Sequence, residues 1–387
     1  MSPEGLADPA HRAGSRHARE ETPAGRSSPG IVKPLPPELF VVHDTNAEMR
    51  WEAMRDAGFH VPAERFFVRN HTATPIVDAA SWRLRLHGTG LRNPRSFSYE
   101  DLLALPAVTL DAAIECAGNG RSLFTTQQGQ RVSGTPWLLG GVGVARWRGV
   151  PLATVLDLAG ITSDAVDVMA RGLDPGYVHD GVDVGPVRRP VPVTKALHDV
   201  ILAYEMNGRP LPPDHGHPVR LIVPSWIGLA SIKWVGDIEV STSPLSSPWN
   251  TVLYRMFGAS HPPRGGDPLT SRGVRSAFEL AWNATLVAGR PHVLRGRSWS
   301  GHGRIVAVEV STDGGATWRH ARLLDPGPAP AWTRWQVTWN PPETGPYALL
   351  ARATDETGAV QPPRTPHNEL GYLFDAVVRH PVTVVHP

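Results

Sequence analysis

The spacing of polar and apolar positions changes along the chain, and each change predicts an element. In WRLRLHGTG (residues 82–90) apolar and polar residues alternate, which predicts a strand. SYEDLLALP (98–106) opens on serine, carries two acids in its first turn, spaces its leucines for one helical face and stops at proline. That combination predicts a short helix. PLATVLDLAGI (151–161) predicts another, while VRLIVP (219–224) and VGDIEVS (235–241) predict strands. Helices and strands alternate here without the regular units of a doubly wound sheet, so residues 34–255 predict a mixed α+β domain.

After Ser241 the pattern shifts. Residues 241–273 are punctuated by Pro, Gly and Ser and predict an extended connection, with a second domain over 256–387. In RIVAVEVSTDGGATWRHARLL (304–324) strict alternation would put Val306, Val308 and Val310 on one face, and Asp313 to Gly315 supply the positive φ of a tight hairpin. WTRWQVTWN (332–340) puts Trp335, Val337 and Trp339 on one face. The period of two predicts a β-sandwich of immunoglobulin type without its disulfide. Residues 1–33, rich in Pro, Gly, Arg and Glu, predict a disordered lead. They lack the apolar core of a secretory signal, so a cytoplasmic location is expected, and no stretch approaches the roughly 20 apolar residues that span a bilayer.

Composition narrows the chemistry. The 387 residues are 41% hydrophobic and 19% charged, enough for two domains with real cores. A formal net charge of +2 gives no case for nucleic acid or membrane as a partner. Lys33, Lys195 and Lys233 are the only lysines among 38 basic residues, so a single exposed arginine carries little information. The chain has 1 cysteine, which excludes an internal disulfide and a thiolate cluster. Cys116 is either packed as a small hydrophobe or acts alone. It ends the strand-like run VTLDAAIE and enters the small-residue turn AGNG, where Asn119 and Gly120 suit a left-handed backbone, so the thiol is presented by a turn. Arg121 close behind favours thiolate, the form that attacks carbon or binds a soft metal; attack would call on a base among the 17 histidines.

CAGNGR, together with RFFVRNH (65–71), ILAYEMNGRPLPPDHGHPVRLIVP (201–224) and SIKWVGDIEVS (231–241), resembles the sulfite oxidase family of molybdenum enzymes in order and spacing. STDGGATW and ARATDETGAVQP (351–362) resemble that family's dimerisation domain. The resemblance covers residues 34–387. It implies a molybdopterin-binding catalytic domain, an immunoglobulin-like dimerisation domain and a homodimer; with room for only these two domains, no haem domain is expected in this chain. It implies Cys116 as the one protein ligand to molybdenum, the other sulfurs coming from molybdopterin. Arg69, His71, Asp174, His215, Arg220, Ser231 and Lys233 fall at cofactor-contact positions, and the arginine fork suits a phosphate. His215 and His217 alone could equally be a solvated loop pair or a His-x-His metal site. Arg69, Arg121, Trp137 and Tyr254 fall at positions around the substrate.

Two positions depart from the vertebrate-like pattern: Arg131 or Ser133 stands where a lysine follows the cysteine, and Leu370 stands where a third substrate arginine is found. The activity implied is oxygen-atom transfer from water to sulfite, giving sulfate, with electrons passed to a separate acceptor, a cytochrome or oxygen. Reduction of a sulfoxide or nitrate is the alternative within the family, and a non-catalytic binding module is the alternative outside it.

Overall fold

The computed structural model describes residues 30–325 and 330–387. The first domain holds two five-stranded sheets. In one, the strand Val235–Ser241 sits at the centre, antiparallel to Asp167–Gly172 and parallel to Arg83–His87, with Arg188–Pro192 and Arg95–Ser98 at the edges. In the other, Val142–Pro151 lies between Val108–Glu115 and Ile201–Met206, and Arg220–Ile222 and Arg209–Pro210 pair with the latter. A core that includes Leu84, Val155, Leu202, Leu221 and Ile238 binds these sheets to the helix Leu152–Leu158. The predicted helix after Ser98 forms over Tyr99–Leu103 because Ser98 and Asp101 make a reciprocal capping box.

The second domain is the expected sandwich. Arg275–Phe278, His292–Trp299, Thr333–Trp339 and Arg322–Asp325 form one sheet. Ala284–Val287, His380–Val385, Gly345–Asp355, Ile305–Ser311 and Arg319–His320 form the other. Its core includes Leu294, Val308, Val310, Trp335, Trp339 and Leu349. Val306 does not join Val308 and Val310: it is 50% exposed, because a bulge between Ile305 and Ala307 shifts the ladder and turns Ile305 inward instead. In the hairpin that follows, Gly314 and Gly315 carry the positive φ angles, and the Asp313 carboxylate accepts from Thr317.

The expected lead over 1–33 lies largely outside the described residues. Its last residues, 30–33, are tied down: Ile31 is buried against Phe40, Ala47 and Val68, and the amides of Val32 and Lys33 donate to the Asp214 carboxylate. Between the domains, residues 242–274 form the expected connection, interrupted by the short helix Pro248–Thr251. The two domains share a core. Trp299 and Trp332 pack on Trp51, Arg297 donates to the carbonyls of Met54 and Gly58, and Trp332 Nε1 donates to the Phe59 carbonyl. No helix among the described residues is long and apolar enough to cross a membrane.

Candidate active site

The strand Val108–Glu115 pairs with Val142–Pro151 from Val108 opposite Gly149 to Glu115 opposite Val142. The Cys116 amide adds one more rung, donating to Gly141 O at 2.8 Å, and the chain then turns away. Gly120 takes the left-handed conformation with φ 86°. Asn119 does not, contrary to the sequence expectation: its side chain is fully buried, donating to Glu115 Oε1 at 2.9 Å and accepting from Gly141 N at 3.0 Å. The turn is thus braced by an amide and bent by a glycine. Its product is a buried cysteine, Cys116, on the wall of a cavity in the first domain.

Nine residues singled out from sequence line this one cavity: Arg69, His71, Cys116, Asp174, His215, Arg220, Ser231, Lys233 and Tyr254. They come from separate parts of the first domain and from the connection that follows it. Arg69 ends the strand Val68–Arg69 and donates to Asn46 Oδ1 and to the Asn70 carbonyl. His71 Nε2 lies 2.9 Å from Tyr254 Oη. Arg220 donates to the carbonyls of His215 at 3.0 Å and Ser231 at 2.9 Å, while Ser231 Oγ accepts from Val223 N. Lys233 Nζ donates to Asn70 Oδ1 and to Asp214 O. Tyr254 and Trp234 hold left-handed backbones, a sparsely populated state for bulky residues that the surrounding packing imposes.

Two expected members stand elsewhere. Arg121 is buried beside the turn rather than on the cavity wall, its Nε donating to Leu370 O and its Nη1 to Thr135 O, both at 2.8 Å, with its guanidinium 5.4 Å from the centre of the Tyr372 ring. Trp137 is fully buried in the core, edge-on to Phe67, which itself lines the cavity. Packing one layer behind the wall explains both placements. Arg131 accepts from His367 through its carbonyl, and the Ser133 amide donates to Glu369 O, so neither stands on the wall either.

Burial of like charges dominates the electrostatics. Burial first, then Arg69 and Lys233, hold the His71 imidazole well below its ordinary pKa. His215 is lowered in the same way by burial, Lys33 and Lys233. Burial lowers Arg220 to about 9, and it lowers Lys233 well below the usual lysine value with help from Arg220. Burial raises the Tyr254 phenol against the pull of Arg69, keeping it protonated. Arg69 remains a full cation: burial opposes its charge, but Tyr254 and Cys116 raise its pKa above the ordinary value.

Sequence reasoning passed over four contributors. Asp214, inside the DHGHPVR run, is 1% exposed and gathers Thr74 Oγ1 and the amides of Val32 and Lys33. Lys33 Nζ reaches Ala63 O and Phe66 O and stands 3.5 Å from His215 Nε2; burial lowers its pKa to about 7. Asn70 lines the cavity between the two motif residues Arg69 and His71. Tyr372, two residues after Leu370, stacks on Tyr254 at 5.3 Å and 13°. Its being a tyrosine beside the departed arginine position was the available signal.

The cavity fits an anionic cofactor. The Arg220 guanidinium is buried and, among the described residues, has no carboxylate partner and leaves Nε without a hydrogen bond. A buried cation of this kind calls for an anion. Asp174 Oδ1, also buried and without a hydrogen-bond partner among the described residues, belongs to a residue of the same wall. Among the described residues no group of three or more His, Cys, Asp or Glu side chains converges, so a metal at Cys116 would take its other ligands from something other than these side chains.

The chain matches the Oxidoreductase molybdopterin binding domain over residues 71–249 and the Mo-co oxidoreductase dimerisation domain over 275–384. It is 36% identical to sulfite oxidase of Gallus gallus over 337 residues, covering 82% of this chain and 71% of that one. The chain belongs to the sulfite oxidase family. It is a molybdopterin oxidoreductase, which removes the reading as a binding module without catalysis. Nitrate reductase [NADH] of Ulva prolifera is 31% identical over 83% of this chain and 40% of its own length. The structure of the sulfane dehydrogenase SoxCD from Paracoccus pantotrophus superposes with a TM-score of 0.74 at 28% identity, covering 86% of this chain and 82% of that one. The first matched domain ends at Trp249, inside the 242–274 connection, and the second begins where that connection stops, at Arg275.

Proposed function

We propose that the enzyme oxidises sulfite to sulfate as a homodimer and passes the electrons to a separate acceptor. The observation that carries this reading is the shared wall of Cys116, Arg69, His71 and Tyr254: a soft metal ligand beside a permanent cation and a protonated phenol. When bound, the molybdenum cofactor supplies two-electron oxygen-atom transfer. Arg220, His215, Ser231, Lys233 and Asp174 would hold it, and Cys116 Sγ would ligate the metal.

The chain's own residues do the rest. Arg69 draws the sulfite dianion into a site where low dielectric strengthens its pull. Neutral His71 shares a hydrogen bond with Tyr254; when Nε2 carries the ring proton, the phenol is free to donate to a substrate oxygen. Arg121, lashed to the Leu370 and Thr135 carbonyls, adds positive potential from behind the turn.

One observation favours a second reading, reduction of nitrate or a sulfoxide. Leu370 puts an apolar side chain in the Tyr254–Tyr372 cluster where the vertebrate-like pattern has an arginine, which suits a less highly charged substrate. Turnover of sulfite with ferricyanide, compared with turnover of nitrate and a sulfoxide with reduced viologen, separates the two. A kcat/KM for sulfite well above the others supports the proposal, and the reverse order rejects it.

A further inference from the structure

We propose that Arg275, a residue of the second domain, positions the turn that carries Cys116, which makes the dimerisation domain a working part of the metal site. Glu115 immediately precedes the thiol and is only 3% exposed. Successive side chains of a strand point to opposite faces, so as Cys116 meets the cavity Glu115 points into the core between the domains. There its Oε1 accepts from Arg275 Nη1 at 2.5 Å and from Asn119 Nδ2 at 2.9 Å, and its Oε2 accepts from Trp299 Nε1 at 2.9 Å. Arg275 Nη1 also donates to Asn119 O at 3.0 Å.

These contacts close a ring around the thiol. Asn119 Oδ1 takes the Gly141 amide, and Gly141 O takes the amide of Cys116. Both donors to Glu115 from the second domain come from a single rung of its sheet, because Arg275 stands directly opposite Trp299. Gly120 completes the fit: a Cβ there would lie 2.7 Å from Arg275 Nη2, so the glycine that bends the turn also admits the guanidinium. A buried carboxylate that loses its partner keeps an uncompensated charge, and the turn attached to it must shift or take up a proton. Replacing both partners with amides removes the charge and retains hydrogen bonding.

The inference rests on Cys116 as the metal ligand, but not on which substrate is turned over. The test uses full-length Arg275→Gln, Glu115→Gln and the double variant. In chain purified from molybdate-starved cells, iodoacetamide should alkylate the single thiol at least about tenfold faster in Arg275→Gln than in wild type. In cofactor-loaded protein the Mo(V) paramagnetic resonance signature should shift, and molybdenum per chain should fall. The double variant should return all three readouts toward wild type. Folded Arg275→Gln with wild-type alkylation and an unchanged signature would overturn the proposal, as would a double variant no better than the single. If Arg275→Gln does not fold, Glu115→Gln, which strands the arginine charge, takes its place: the same shifts support the proposal and their absence overturns it. A Cys116→Ser protein with an unchanged Mo(V) signature would instead refute the ligand assignment.

Discussion

His71 Nε2 and Tyr254 Oη, 183 residues apart in sequence, lie 2.9 Å from each other on the wall that also presents Cys116. The pair joins a histidine held neutral to a phenol held protonated. Tyr254→Phe removes the only hydroxyl of the pair and keeps the stacking on Tyr372. Loss of one oriented donor typically costs about 10²-fold or more in kcat. Steady-state kinetics should show that loss with little change in molybdenum content. Wild-type activity should persist above the ordinary tyrosine pKa near 10 as far as this phenol is concerned.

Stability should respond to pH through the buried histidines. His71 and His215 are held well below 6.5, and His380 is lowered to about 4, in each case chiefly by burial. As pH falls through 6.5, unfolded chains take up protons that the folded chain refuses, so these groups make the fold less stable at lower pH. Each contributes a slope of about 1.4 kcal/mol per pH unit once its unfolded form is protonated. Denaturant unfolding of cofactor-free protein between pH 6.5 and 5 should show stability dropping, with a shallower drop in His380→Gln. Equal slopes in the two proteins would refute the assignment.

Leu370 makes a charge prediction. Its carbonyl fixes Arg121 while its side chain packs in the apolar cluster of Tyr254 and Tyr372. With one cation fewer near the anion, sulfite should bind with a raised KM that chloride or sulfate worsens. Leu370→Arg should lower KM by about tenfold, the worth of one charge-assisted hydrogen bond. A wild-type KM that is low and insensitive to salt would contradict this account of the pocket.

Local rules made much of this protein legible. The capping box at Ser98, the strand ending at Glu115 and the paired glycines of the 314–315 hairpin all follow from neighbours in sequence. The motif residues around Cys116 were legible because the resemblance preserved their order. What escaped was set by contacts over long separations. Nothing near Lys33 indicates that it meets His215, 182 residues away, and nothing in the alternation of 304–310 announces the bulge that ejects Val306. Trp137 shows the converse: a position near the substrate in sequence pattern is one packing layer removed in space.

The second domain should be needed for solubility as well as assembly. Trp299, Trp332 and Arg297 cover Trp51 and the Met54–Gly58 backbone, so a chain ending near Ser260 bares that surface. Light scattering should show a dimer for the full chain at micromolar concentration, and a monomer or aggregate for the truncation. A full-length monomer would contradict the proposed assembly.

Cys116 and the cationic cavity should together serve oxygen-atom transfer to sulfite. Adding sulfite anaerobically to molybdenum-loaded, full-length enzyme without any electron acceptor tests it without knowledge of the natural acceptor. A single turnover should give about one sulfate per bound molybdenum, and none from Cys116→Ser. A fully loaded wild-type enzyme that forms no sulfate would contradict it.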